Sequence, residues 1–392
     1  MKKIILRIVS VSVLACMVFL CASCADTADP GQPETTAPVS TSATTESTQP
    51  SSQETTAPET TEPTVETTEA TEPPPVEVIL EETKVLSFED LCAVMRDTPN
   101  LVLFQTGGKV LTLEEYITLC QINEDVAVIS KVEVDGKTMD LSADEINISK
   151  TKISDKALFD SFLSHAPAGK KFVMCDCGYK NTEMGELREK YPQLEFAWRI
   201  YFGKWDMRTD DEAFSVMISS YNYQRMTSAD IEVLKYCTNL KALDLGHQAI
   251  SDLSVIGQLT ELRVLILADN RIRDISPLAN LKNLEYVELF VNDIKDVSPL
   301  AECKNLVDLN LGWNWRVNDL SSLYSLEKLE RLWLPTTDID REQEKELATV
   351  FPNVQMVFDD KDSVSSGWRT HERYFIMRAM FTNNKYDEAF IK

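Results

Sequence analysis

"LRVLILADNRIRDISPLANLKN" runs from Leu262 to Asn283, and Leu284 begins a near-copy of it. Aligned on Leu262, the unit is apolar at Leu262, Leu265, Leu267, Ile272, Ile275, Leu278 and Leu281, with Asn270 among them. The unit before it places Leu240, Leu243, Leu245, Ile250, Leu253, Ile256 and Leu259 at the same offsets. The next gives Leu284, Val287, Leu289, Ile294, Val297, Leu300 and Cys303. A fourth, with one extra residue after Asn314, gives Leu306, Leu309, Leu311, Val317, Leu320, Leu323 and Leu326. Four successive copies make repetition the organising fact of the chain.

Leu265 and Leu267 alternate with period two, the mark of a strand with one buried face. Asn270, Asn292 and Asn314 follow at a fixed offset, where an amide satisfies backbone groups as the chain turns inward. Ser276-Pro277 and Ser298-Pro299 read as helix entry, a capping hydroxyl before a proline whose missing N–H costs nothing there. Each unit is then strand, turn and short helical return. Its apolar residues alone cannot offset the backbone order that the unit demands. Stacked units pair their strands about 4.8 Å apart and share one core.

Weaker copies lie upstream. Ile146, Ile148, Thr151 and Ile153 take the offsets of Leu265, Leu267, Asn270 and Ile272, as do Phe172, Met174, Cys177 and Tyr179. Three helix-like stretches end in a proline just before a strand: "MRDTPNLVLF", "LREKYPQLEF" and "LATVFPNVQM". Strand positions follow at Leu101, Val126, Ile146, Phe172, Leu194, Val216, Leu243, Leu265, Val287, Leu309, Leu332 and Val354. "SKVEVDGKTMDLSADE" returns as "WRIYFGKWDMRTDDE" about 68 residues later, an internal duplication with hairpins at Asp135-Gly136 and Gly203. Residues 76–213 are thus degenerate repeats continuing one solenoid, or a separate α/β unit packed on the repeats of 214–358.

The first 24 residues read as an export signal: basic "MKKIILR", then an apolar run of 13, "IVSVSVLACMVFL", too short for the roughly 20 residues of a bilayer span. Residues 25–75 hold nine prolines, fifteen threonines and ten carboxylates without a Lys or Arg. Such a segment buries too little apolar surface to fold and serves as an extended linker. The net charge of -24 argues against nucleic acid as a partner, since phosphate contacts need a basic surface.

These residues carry two resemblances. "CASC", ending in Ala22, Ser23 and Cys24, resembles the lipobox of bacterial lipoproteins, although Cys21 stands where Leu is usual; the resemblance implies lipidation at Cys24 and a lipid-anchored protein on the extracellular face of a bacterial membrane. A plain secretory signal is the alternative. The 22-residue units, with "DISPLANL" and "DVSPLAEC", resemble the leucine-rich repeats of internalin-type surface proteins. Signal, linker and repeats together resemble leucine-rich-repeat lipoproteins of Gram-positive bacteria. The implied fold is an α/β leucine-rich-repeat solenoid with parallel strands on the concave face and short helices or turns on the convex face. The implied role is a binding scaffold without a cofactor.

No catalytic or metal motif emerges. His165, His247 and His371 are scattered and join no nucleophile or metal signature. Cys175 and Cys177 in "MCDCGY" would share a strand face, but two thiols do not make a zinc site. Cys237 and Cys303 sit three repeats apart, about 14 Å by strand spacing, too far for a disulfide. The remaining candidates are the strand residues between the buried leucines: Tyr286, Glu288, Phe290, Asp308, Trp313, Arg331 and Trp333. Aromatics facing water beside charges suit a binding surface for a protein, peptide or glycan. Alternatively the tryptophans pack on each other or on the C-terminal tail. That tail, 359–392, places Tyr374, Met377, Arg378 and Phe381 on one helical face, as a cap over the last repeat. The competing functional reading is a structural or adhesive cell-surface spacer without a single ligand; under either reading the chain is expected to be a monomer.

Overall fold

The computed structural model describes residues 74–216, 224–359 and 367–391. The export segment with Cys24, and the Thr/Pro segment up to residue 73, lie outside them. At the N-terminal end β1 (Val76–Ile79), α1 (Phe88–Asp97), β2 (Leu101–Thr112), α2 (Leu113–Ile122) and β3 (Ala127–Val134) alternate, and β3 turns back as β4 (Lys137–Asp140). The alternation resumes with β5 (Glu145–Asn147), α3 (Lys156–His165), β6 (Lys171–Val173), α4 (Asn181–Lys190) and β7 (Glu195–Ala197). A second hairpin follows, β8 (Arg199–Phe202) and β9 (Trp205–Arg208). Short 3-10 turns then separate β10 (Ala213–Ser215), β11 (Ala242–Asp244), β12 (Val264–Ile266), β13 (Tyr286–Glu288), β14 (Asp308–Asn310) and β15 (Arg331–Trp333). The last elements are α5 (Arg341–Val350), β16 (Gln355–Val357) and α6 (Glu372–Asn383).

Strands β10 to β16 form one parallel sheet in chain order. Phe214, Leu243, Leu265, Val287, Leu309, Leu332 and Met356 are neighbours on consecutive strands. Upstream, β1, β2 and β3 pair in parallel, as do β5, β6 and β7. All twelve strand positions read from the sequence lie in a strand or one residue from one. The ladder is broken twice, each time by a hairpin: β3–β4 pairs Val134 with Lys137, and β8–β9 pairs Phe202 with Trp205. The two hairpins lie 68 residues apart, as the duplicated sequence requires (Lys131 and Arg199 both pair with a residue that ends the returning strand). Asp135 and Gly136 are both left-handed, at φ 45° and 80°, the conformation that a two-residue hairpin with right-handed twist demands. Beneath the broken ladder a single apolar core extends from Val78 to Phe351. The fold is an α/β repeat solenoid.

Three of the long helical returns, α1, α2 and α5, start with a capping box: Ser87 with Asp90, Thr112 with Glu115, Asp340 with Gln343. The four regular repeats use another device, and here the reading of Ser-Pro as a capping pair is corrected. Ser276 and Ser298 donate rather than accept: their backbone N–H groups bond Asp274 Oδ1 at 2.8 Å and Asp296 Oδ1 at 2.9 Å. Asp252 and Asp319 hold Ser254 and Ser321 in the same way, at 2.8 and 2.9 Å. A carboxylate two residues upstream makes an Asx turn more strongly than a hydroxyl does.

The asparagines bind rung to rung. Asn292 donates through Nδ2 to Leu267 O and Leu289 O, both at 3.0 Å, and accepts the Ile272 N–H at 3.0 Å. Asn270 and Asn314 repeat this pattern. Other residues fill the slot at the ladder's ends: Gln248 accepts from Met226 N at 3.0 Å, and Thr337 donates to Leu334 O at 2.7 Å. Upstream, the Cys177 thiol donates to Ile148 O at 3.2 Å. The residue before each slot is left-handed, His247, Asp269, Val291, Trp313 and Thr336 in turn, which aims the next side chain inward. Asn292→Ala should cost about 3 kcal/mol, because one change orphans three buried backbone groups. Asn292→Asp should cost at least as much, since a carboxylate cannot donate to two carbonyls. Urea unfolding of the two variants checks both.

Candidate binding face

Parallel pairing fixes what each strand presents. On β11 to β15 the middle residue enters the core and its two neighbours face the concave side. Read along the ladder, the first of those neighbours is smallest at the β10 end, and the largest side chains gather from β13 onward. Ala213 and Ser215 on β10 and Ala242 and Asp244 on β11 come first, then Val264 and Ile266, Tyr286 and Glu288, Asp308 and Asn310, Arg331 and Trp333. Six of the seven candidate residues are thereby brought onto or beside one face: Tyr286, Glu288, Phe290, Asp308, Arg331 and Trp333.

Of the two readings of that face, the one open to water fails, and the alternative, packing on the C-terminal tail, holds at Trp333. Tyr286, Asp308 and Trp333 are 0% exposed, Glu288 1%, Arg331 3% and Phe290 6%. The C-terminal segment 367–391 covers them, lying across the strands rather than over the end of the last repeat. The indole of Trp368 sits 5.1 Å from that of Trp333 and 5.3 Å from the Tyr286 ring. Met377, Met380 and Phe381 of α6, with Tyr386 and Phe390, bury against Ala213, Ala242, Val264 and Ile266. The small residues at one end of the ladder give the helix its room. Tyr374, Met377 and Phe381 share the packed side of α6, whereas Arg378 is exposed. Trp313 departs from the group: it is left-handed and 41% exposed, and Trp315 beside it is 63% exposed.

Polar groups cross the same interface. Trp368 Nε1 donates to Glu288 Oε1 at 2.8 Å, the Tyr286 hydroxyl donates to the same oxygen, and Arg369 lies 3.9 Å from Oε2. Burial holds the Glu288 carboxyl above the usual carboxylate range, opposed by the Arg369 charge. Burial, and the Glu288 charge beside it, push the Tyr286 phenol well up. Asp308 is held bidentately by Arg331, through Nε at 2.8 Å and Nη2 at 2.6 Å, and by Arg373 of the covering segment at 2.8 Å. Arg331 also donates to Trp368 O at 3.3 Å. At the far end the Tyr386 hydroxyl donates to Glu285 at 2.8 Å, while Lys241 and Arg263 grip Glu388 at 2.7 and 3.1 Å. The charges of the face are thus compensated by the segment that desolvates them, the condition under which buried ions persist. The match is incomplete: Asn310 Nδ2 and Arg369 Nε find no hydrogen-bond partner among the described residues.

The thiols are placed for packing. Cys92, Cys120, Cys175, Cys177, Cys237 and Cys303 are buried and unpaired with one another. Burial raises the Cys120 and Cys237 thiols to about 12, and the Cys177 and Cys303 thiols to about 11, which suppresses thiolate chemistry at neutral pH. Cys175 and Cys177 do not share a face. The left-handed Asp176 between them, φ 60°, sends Cys177 into the core and leaves Cys175 against Val173 and Ala197. The histidines stay apart: His247 Nδ1 lies 2.9 Å from Asp269, and His371 Nδ1 accepts the Arg373 N–H at 3.3 Å at the start of α6. Among the described residues no three His, Cys, Asp or Glu groups gather as metal ligands.

Sequence reasoning missed Trp368, Arg369 and Arg373 as members of this face. The signal was present in the spacing of Trp368, Met377, Phe381, Tyr386 and Phe390, which is more apolar surface than one helix needs to cap an end.

The comparisons agree with the geometry. A family model for two copies of leucine-rich repeats matches residues 260–302. A search of curated proteins finds no match. Among solved structures, internalin C2 of Listeria monocytogenes is 30% identical, covering 38% of this chain and 74% of that one with a TM-score of 0.29. Internalin F of the same organism is 16% identical, covering 74% and 84%, with a TM-score of 0.28. A leucine-rich-repeat protein of Leptospira interrogans is 15% identical, covering 66% and 72%, with a TM-score of 0.29. Superpositions this loose add nothing to the fold, which stands on the ladder and the repeat match.

Trp368→Ala should loosen the covering segment, since emptying a buried tryptophan site costs about 3 to 5 kcal/mol. The expected result is faster proteolysis within 367–391 and a rise in the binding of a hydrophobic dye, with the far-ultraviolet circular dichroism of the repeats retained. Unchanged proteolysis would mean that the segment is held elsewhere.

Proposed function

Since the chain is a leucine-rich-repeat protein, we propose that it is a non-enzymatic recognition module, a monomer held by a lipid on Cys24 at the extracellular face of a bacterial membrane. Its ligand is a protein, peptide or glycan taken on the concave face by Tyr286, Glu288, Phe290, Asp308, Arg331 and Trp333, with Trp313 at the rim. One observation carries this reading and favours a peptide. The face already holds a peptide segment, its own residues 367–391, through an indole, paired charges and backbone contacts. Central aromatics and fully desolvated arginine are the anchors that dominate binding energy in protein interfaces. Asn310 Nδ2, on the face and left unpartnered among the described residues, is a donor that another occupant can satisfy. The Thr/Pro composition of residues 25–75 supports a stand-off between anchor and repeats.

The closure of the face also favours a second reading, a spacer whose inner surface is simply filled. The two part on one experiment. A synthetic peptide of residues 367–391 should bind full-length chain carrying Trp368→Ala with micromolar affinity, and bind the unaltered chain at least tenfold more weakly. No binding to either would leave the spacer. Separately, Cys24→Ala should abolish fatty-acid labelling in a bacterial host and release the protein to the medium; persistent labelling or retention would contradict the anchor.

A further inference from the structure

The upstream rungs present a different inner face. On β5, β6 and β7 the concave positions narrow to Asn147, Val173 and Ala197, and Cys175 follows Val173. Val173 and Cys175 pack with Ala197 in a small apolar cluster apart from the main core. Val173 and Cys175 line a cleft of about 400 Å³, within the size range of small-ligand sites. No segment of the described chain fills it, in contrast to the face on β10 to β16.

The β8–β9 hairpin makes one wall. Tyr201 stands there 60% exposed, its hydroxyl donating to Asp176 Oδ1 at 2.7 Å, so the ring is fixed while its plane stays bare. The duplicated hairpin supplies an internal control. The residue in the place of Tyr201, 68 positions earlier, is Glu133, so hairpin folding does not ask for an aromatic here.

The charge balance of the cleft also runs against the chain. Asp and Glu outnumber Lys and Arg by 63 to 39 overall, yet the cleft is lined by Lys150, Arg199 and Arg208 against Asp176 and Asp206. Arg199 pairs with Asp206 through one nitrogen, and Arg208 with Asp210 at 2.7 and 2.9 Å. Each guanidinium has five N–H donors, so donors remain. The Lys150 side chain is exposed, with no ion pair among the described residues.

We propose that this cleft binds the carboxyl-terminal end of a short peptide bearing small aliphatic side chains. Lys150 and the remaining Arg199 donors take the terminal carboxylate. Val173 and Cys175, which line the cleft, take a methyl-sized side chain beside the Tyr201 ring. The site is separate from the face covered by 367–391 and does not depend on its displacement.

Calorimetry on the full chain with tri-alanine tests the assignment. Saturable binding at roughly 0.1 to 1 mM is expected for a ligand of this size. Tri-alanine amide should bind about tenfold more weakly, because a charge-assisted hydrogen bond is lost. Lys150→Ala should weaken tri-alanine binding about tenfold and leave the amide unaffected. Tyr201→Ser should weaken both. Both residues are exposed, and an unchanged melting temperature verifies that the variants fold. Absence of saturable binding, equal binding of acid and amide, or indifference to both substitutions would overturn the proposal.

Discussion

A backbone that coils must turn inward once per coil, and each turn carries amide and carbonyl groups into an apolar interior. Leaving such groups unpaired costs more than most core contacts return. In the regular repeats one side chain per rung answers that demand: Asn270, Asn292 and Asn314 each join two carbonyls and one amide of adjacent rungs. The leucine core, the parallel register and the left-handed residue before each slot all presuppose this join. The apolar side chains supply the driving force, but the amides decide that the coils stack in register.

The concave face follows from the same register. Because consecutive strands are aligned residue for residue, positions flanking the buried leucines fall into columns whose two ends can differ. Here one column starts with Ala213 and Ala242, and the other end carries Arg331 and Trp333. The small end leaves a hollow for α6, and the large end holds aromatic and charged anchors for Trp368 and Arg373. Closure uses the same residues that the proposed recognition requires, so under that proposal a ligand competes with residues 367–391 for the face.

The regular repeats were legible because their information is local: apolar spacing, Asn at fixed offset, and Asp-Gly at a hairpin are all read within a few residues. The twelve strand positions and both hairpins came from such signals. The chemistry of the turn was misread at Ser276 and Ser298, because the pair Asp-x-Ser was split and the weaker acceptor chosen. The facing of Cys175 and Cys177 was misread because a strand was extended past its end, through a left-handed Asp176. The state of the concave face was not readable at all from its own rows. Tyr286 and Trp333 look the same in sequence whether water or Trp368 lies above them, and the deciding contact spans 35 residues or more. The alternative of packing on the C-terminal tail was therefore left open, and the surplus of apolar residues after Trp368 is the signal that favours it.

Amide hydrogen exchange at Ile250, Ile272 and Ile294, the three N–H groups that donate to Asn270, Asn292 and Asn314, measures most directly whether the amide joins hold the solenoid together. If they do, these three amides exchange only with global unfolding, as slowly as the amides of the parallel ladder. Exchange at rates typical of open surface turns, while the strand amides stay protected, would contradict the account.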